Sequence, residues 1–166
     1  MEIKSQLTRE DYVEFNKYIF LKMKMKRSIF IALIFIIFWI VYLNLNQPFN
    51  LLVLLIELLA FSLFWAVLIF AFYRLSFARI KKMPDENGEI LSEKAYLLSD
   101  DGLKEVSTNN ESFTKWSGFK SIEENKKYIF LFVDKIAAYI IPKRVFKDSE
   151  EVTQFLEYVK TRTIKH

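Results

Sequence analysis

The sequence predicts an α+β protein built around an N-terminal transmembrane α-helical hairpin. After it comes a small antiparallel β meander or partly open barrel, closed by a C-terminal amphipathic helix. Three observations predict this. Residues 28–56 hold no Asp, Glu, Lys or Arg, and after Glu57 the next charge is Arg74. From about Ile90 the apolar period shortens and turn residues punctuate short β-rich runs. Val152, Phe155, Leu156 and Val159 then recur at helical spacing near the end.

The hairpin is argued from length. A bilayer core about 30 Å thick needs roughly 20 apolar residues in a helix. Leu51–Phe72 meets that length. Ile29–Leu43 is shorter and reaches it if Met25 and the alkyl stems of Lys26 and Arg27 extend it, their charges snorkelling to the interface. Bulky Phe, Ile and Leu surround both segments. A chain of 166 residues has too little other protein to bury two such helices. The turn Asn44–Asn50 carries Pro48 and several Asn residues, and a connection this short places the helices antiparallel.

Orientation follows from the basic residues. Lys22, Lys24, Lys26 and Arg27 precede the first span, and Arg74, Arg79, Lys81 and Lys82 follow the second. The turn has none, so the positive-inside rule puts both termini in the cytoplasm. Trp39, Tyr42 and Tyr73 fall where aromatic belts form. A polar lead of 27 residues without a small-residue cleavage site marks the first helix as a signal anchor.

Charge is unevenly spread. Residues 1–27 carry +3, the hairpin −1, residues 74–82 +4 and residues 83–166 −2. The basic excess therefore sits at the membrane surface, where each Lys or Arg gains about 1 kcal/mol from anionic lipid. The distal domain is slightly acidic, which argues against nucleic acid, a partner that wants a basic face. Cysteine is absent, and His166 is the lone histidine. Disulfides, thiolate nucleophiles and Cys- or His-built metal sites are excluded. With three glycines, no Gly-rich phosphate loop and no HExxH, no cofactor or enzyme activity is predicted.

Four parts follow in order. Residues 1–27 form a short strand and an amphipathic helix leading into the membrane. In the strand Ile3, Ser5 and Leu7 share a face. The helix opens at Thr8-Arg-Glu-Asp11, a capping box with Asp in place of Glu, and continues through Tyr12, Phe15, Ile19 and Met23. Residues 28–73 are the hairpin, about 28–45 and 51–73. Residues 74–90 are a juxtamembrane linker: Arg74–Lys82 continue the helix, and Pro84 and Gly88 break it. Residues 91–166 are the cytosolic domain. Its strands are predicted at 95–98, 103–108, 112–116, 119–124, 128–133 and 136–141. Asp101-Gly102 supplies the positive φ of a hairpin turn, Pro142 ends the last strand, and Asp148 caps the final helix.

The C-terminal pattern carries a resemblance. Leu98-Ser-Asp-Asp-Gly-Leu103, Thr114-Lys-Trp-Ser117, Tyr128-Ile-Phe-Leu131 and Ile141-Pro-Lys-Arg-Val-Phe146 resemble the YcxB-like family of small bacterial membrane proteins, as do Ile3–Leu7 and Thr8-x-Glu-Asp11. The resemblance implies two N-terminal spans, a cytosolic domain of pleckstrin-homology-like fold and a place in the bacterial cytoplasmic membrane. It implies no activity. Members of that fold that bind inositol phosphates use basic residues after the first strand. If 95–98 is the first strand, its loop is Asp100-Asp101-Gly102, which repels phosphate. If Ile3–Leu7 is, the correspondence is lost. No lipid-phosphate site is carried over.

Candidate residues are few. Glu57 lies roughly 9 Å below the outer end of the second span. A carboxylate there costs a few kcal/mol and is often functional. It reaches the interface, is protonated, contacts Asn46, Gln47 or Asn50, or serves proton or ion handling or helix pairing. Lys143, Arg144 and Lys147 form the best basic cluster of the cytosolic domain, a solvated group or a patch for headgroups or an acidic partner. Trp116 reads as core, with ligand stacking the alternative. Asn110-Glu-Ser112 matches a glycosylation sequon that the cytosolic side makes irrelevant.

The function expected is a membrane-anchored, non-enzymatic interaction or scaffold module at the inner leaflet. Its partners would be the lipid bilayer and a protein or a second copy, with no nucleic acid and no small-molecule substrate. The alternative is an accessory subunit of a membrane transport or stress-response assembly that uses the hairpin and Glu57.

Overall fold

In a computed structural model the described residues are 1–44 and 50–164, with the side chains of 23–28, 44 and 164 excluded. The interior of the turn expected over Asn44–Asn50 lies outside the described residues, as do the side chains of Lys24, Lys26 and Arg27 and the terminal His166. The elements run β1 (Glu2–Gln6), α1 (Arg9–Asn44), α2 (Leu51–Lys82), β2 (Glu93–Leu98), β3 (Gly102–Ser107), β4 (Glu111–Lys115), β5 (Ser121–Glu124), β6 (Tyr128–Phe132), β7 (Ala138–Pro142) and α3 (Ser149–Ile164). They fall into two compact units, residues 1–15 with 84–166, and residues 16–83.

The first unit holds two antiparallel sheets, β1-β2-β3-β4 and β5-β6-β7. A single meander was expected. The strands predicted at 112–116 and 119–124 do not pair. The chain turns inward between them through a 3-10 turn at Trp116–Gly118. Trp116 is buried there and its indole N–H donates to the Ser99 carbonyl at 3.0 Å, which places it in the core. The last strand starts at Ala138 rather than 136, because residues 134–137 form a turn with Val133 N–H donating to the Ala137 carbonyl. The Asp101-Gly102 turn forms, but none of the described glycines has a positive φ. Gly102 is needed for a different reason. A Cβ there would lie 2.3 Å from the Thr114 carbonyl oxygen and 2.9 Å from Lys115 Cα on the paired strand β4.

The domain expected over 91–166 also takes in residues 1–15 and 84–90. β1 pairs antiparallel with β2, Ile3 opposite Tyr96 and Gln6 opposite Glu93. The chain therefore leaves the sheet after Gln6 and returns at a neighbouring register position. Leu7 and Ile3 are buried and Ser5 shares their face, the alternation read from the sequence. α1 begins with the capping box: Thr8 N–H donates to Asp11 Oδ2 at 2.8 Å, and Asp11 N–H donates to Thr8 Oγ1 at 3.2 Å.

β6 is buried along its whole length. On one face Ile129 and Leu131 join Ile3, Tyr96, Leu98, Leu103, Trp116 and Ile141 in the core. On the other face Phe130 and Phe132 are covered by Phe15 of α1, with ring centroids 5.6 and 6.3 Å away, and Tyr128 stacks on Phe130. A strand covered on both faces shows a continuous apolar run rather than alternation. α3 closes the core with Phe155, Leu156 and Val159, the face its spacing predicted. Asp148 Oδ1 accepts from the N–H groups of Glu150 and Glu151 at 3.0 and 2.9 Å, as a helix N-cap should.

The second unit is an antiparallel helix pair. Ring contacts fix the sense: Phe20 meets Tyr73 and Phe77, Phe35 meets Trp65, and Trp39 meets Phe61. α2 starts at Asn50, whose side chain accepts from Leu52 and Val53 N–H. It runs unbroken to Lys82, so residues 74–82 of the expected linker are helical. α2 is long and apolar enough to cross a membrane, and none of its most apolar window is buried. Ile29–Leu43 of α1 is a shorter apolar stretch. Leu59 exposes 72% of its surface and Phe38 66%.

Candidate functional site

The basic cluster expected at Lys143, Arg144 and Lys147 does not converge on an open site. Arg144 reaches back to the first turn of α1. Its Nη1 donates to Asp11 Oδ1 at 2.8 Å, its Nη2 pairs with Oδ2 in a second, shorter contact, and Nη2 also donates to the Gln6 carbonyl at 3.2 Å. Tyr128 OH donates to the same Oδ1 at 2.7 Å. Asp11 is 2% exposed, and a buried carboxylate is tolerable only when paired and hydrogen-bonded in this way. Lys143 Nζ is bound to Glu124 Oε2 at 2.8 Å and holds that carboxyl below its usual range. The Lys147 backbone N–H donates to Glu151 Oε2.

Burial pushes the Asp11 carboxyl up, but hydrogen bonds from Arg144, Thr8 and Tyr128 outweigh it and hold its pKa at about 2 against an ordinary 3.8. Burial and the adjacent Asp11 push Tyr128 up to about 12. Both groups keep one charge state through the physiological range. The arrangement is a clamp that ties β1, the start of α1, β6 and the segment after β7 together; it offers no reactive group. Only its local half stood in the sequence: Asp11 occupies the place where a capping box normally carries Glu or Gln.

Glu57 lies half-buried on α2, in a groove of about 670 Å³ within the helix pair. Phe35 and Trp39 of α1 and Phe61, Phe64 and Trp65 of α2 line it. Trp39–Phe61, Phe61–Trp65 and Phe35–Trp65 centroids lie 6.1, 6.0 and 6.4 Å apart. Glu57, Phe61 and Trp65 are spaced by four residues, so α2 presents them on one face. Glu57 is the one ionisable group among the lining residues, and it keeps an interaction within the chain. The Trp65 indole N–H is buried and finds no acceptor among the described residues.

Arg79, Lys81 and Lys82 stand on the last turn of α2, where cations suit the helix dipole, and Arg74 lies two turns earlier. These four and Lys22 are exposed. Among the described residues no group of three or more His, Cys, Asp and Glu could hold a metal ion.

Against known proteins, residues 98–159 match the family model of the YcxB-like proteins. No curated protein and no solved structure matches.

Proposed function

We propose, from the likeness of residues 98–159 to the YcxB-like family model, that the chain is a membrane-anchored, non-enzymatic interaction module. α1 and α2 cross the bacterial cytoplasmic membrane as a two-span hairpin with both termini in the cytoplasm. The folded unit of residues 1–15 and 84–166 presents its surface at the inner leaflet to a protein partner. The observation that carries this reading is the bare apolar surface of α2, a helix of 32 residues with none of its most apolar window buried. Water would penalise that surface by about 25 cal/mol for each Å². The exposed Arg74, Arg79, Lys81 and Lys82 at its end suit an anionic inner leaflet.

The cytosolic unit is read as pleckstrin-homology-like. A four-stranded sheet, a three-stranded sheet and a closing C-terminal helix support that. With β1 as first strand, the whole hairpin is an insertion between the first and second strands. The loop that binds inositol phosphates in other members has no counterpart here. The β4 edge, paired only with β3 among the described strands and bearing the exposed Phe113, is suited to strand addition by a partner.

Single-cysteine labelling tests the topology cleanly, because the native chain has no cysteine. In intact cells an impermeant maleimide is expected to label Gln47→Cys and to miss Asn109→Cys until the membrane is opened. Release of the protein by alkaline carbonate, or labelling of both positions from outside, would contradict the reading.

A further inference from the structure

The outer edge of β4 fits a second copy of itself. We propose that the chain self-associates by antiparallel pairing of β4 (Glu111–Lys115) with β4 of a second copy, about a two-fold axis at Phe113. This rests on the reading above, in which that edge takes a partner strand, and it names the partner.

The backbone on that edge is set for pairing. Asn110 and Trp116 flank β4, and both turn backbone groups to the β3 side. Ser107 N–H donates to the Asn110 carbonyl at 2.8 Å, and Trp116 N–H to the Asp101 carbonyl at 3.2 Å. Backbone groups alternate in direction along a strand. Glu111, Phe113 and Lys115 therefore aim theirs away from β3, where none has a backbone partner among the described residues. The opposite edge of the sheet is not open in this way. Leu98 N–H donates to the Met1 carbonyl, so Gln6 aims outward from β1, and Arg144 Nη2 takes its carbonyl at 3.2 Å.

The side chains select the partner. Ser112 and Thr114 turn inward, their hydroxyls 3.5 and 2.7 Å from Tyr139 OH. Glu111, Phe113 and Lys115 stay on the exposed face, Phe113 with 52% of its surface open. Charges on an edge strand ordinarily block pairing. Here they are opposite in sign and equidistant from Phe113. A two-fold axis at Phe113 sets Glu111 of each copy opposite Lys115 of the other, and ring opposite ring, both favourable cross-strand pairs. A shift of two residues sets charges against rings, and a parallel arrangement sets like charges side by side. Lys115 has no ion pair among the described residues. Glu111 is held by Lys104 at 2.7 Å on the surface, and its carboxylate has lone pairs for both cations. One strand pair is small beside the roughly 1,000 Å² of a lasting interface. Confinement of both copies to one membrane supplies an effective concentration that offsets this.

The test uses the full-length protein in phosphatidylcholine–phosphatidylglycerol vesicles, with donor and acceptor dyes on Asn109→Cys, an exposed position between β3 and β4. Energy transfer above that of randomly placed copies, falling on dilution with lipid, is expected. Lys115→Glu leaves the Lys104–Glu111 pair in place but sets Glu111 against a second carboxylate. It is expected to weaken association about tenfold or more. Phe113→Thr keeps a strand-forming residue without the ring, and is expected to weaken it about threefold. Mixing Lys115→Glu with Glu111→Lys sets two carboxylates against two ammonium groups. It is expected to restore transfer, which a misfolded variant would not do. Transfer at the random level, transfer unchanged by Lys115→Glu, or no recovery in the mixture overturns the proposal. An edge taken by a different protein, or copies that meet through their helices, would give one of those results. Carbonate extraction of the same vesicles separates the two readings. Protein that stays in the membrane without charge-dependent transfer refutes the self-pairing alone. Protein that is released refutes the anchor, and with it the confinement on which the pairing depends.

Discussion

Asp11 is the residue on which the folded unit of residues 1–15 and 84–166 depends most sharply. Its carboxylate is buried, and four donors converge on it: the Thr8 N–H, the Tyr128 hydroxyl and two nitrogens of Arg144. Because Arg144 is half exposed, the pair is worth less than a fully buried one. Asp11→Asn is expected to cost roughly 1–3 kcal/mol at neutral pH. The pH dependence has a definite sign. The folded carboxyl sits at about 2, below its ordinary 3.8. The stabilisation is therefore complete above about 3.8 and fades as pH falls through that window towards 2. Thermal unfolding of the full-length protein in detergent, followed by circular dichroism from pH 7 to pH 2, should show the native-to-variant gap closing below about pH 4. A gap that stays constant through that range would refute the clamp. None of this convergence was legible in the sequence, because Asp11 and Arg144 are 133 positions apart and no local pattern joins them. The capping half of Asp11 was legible, being local to Thr8–Asp11.

At the scale of elements, two glycines separate turn chemistry from packing. Gly102 faces the backbone of β4, which cannot retreat from an added Cβ, while Gly118 meets only the Thr114 methyl at 3.2 Å. Gly102→Ala is expected to destabilise the unit by about 2 kcal/mol or more, by overpacking. Gly118→Ala is expected to change stability by less than about 1 kcal/mol. Equal effects of the two in chemical denaturation would show that the close approach at Gly102 is not what constrains it. The sequence called for glycine at this turn, but through a positive φ that the backbone does not adopt. The same limit separates the elements that could be read from those that could not. α3 was legible because its cap and its apolar face lie within its own stretch of chain, and β6 because a run of five apolar residues has few other uses. The division into two sheets was not, since it depends on Trp116 turning inward to reach the Ser99 carbonyl, a tertiary contact that overrides the local strand signal.

At the scale of the whole chain, the helix pair proposed as an anchor is interleaved in sequence with the folded unit of residues 1–15 and 84–166. The helix pair was legible as two apolar runs, interrupted only by Glu57 and the turn between them. The interleaving was not: β1 reads as a weak alternation of five residues, and its pairing with β2 spans the entire helix pair. The consequence is that residues 91–166 made alone should aggregate, because they lack β1 and leave Phe130 and Phe132 without the cover of Phe15. The most direct test of the division replaces residues 16–83 with a flexible Gly/Ser linker of about 12 residues, which spans roughly 20 Å. The ends to be joined belong to one unit, and Arg9 Nη2 already donates to the Pro84 carbonyl at 3.3 Å. The measurement is fractionation of this spliced chain followed by its amide correlation spectrum. A soluble chain with the dispersed resonances of a packed β structure is expected. A chain that stays with the membrane fraction, or is soluble with collapsed dispersion, would contradict the claim that residues 16–83 are an anchor inserted in an independently folding unit.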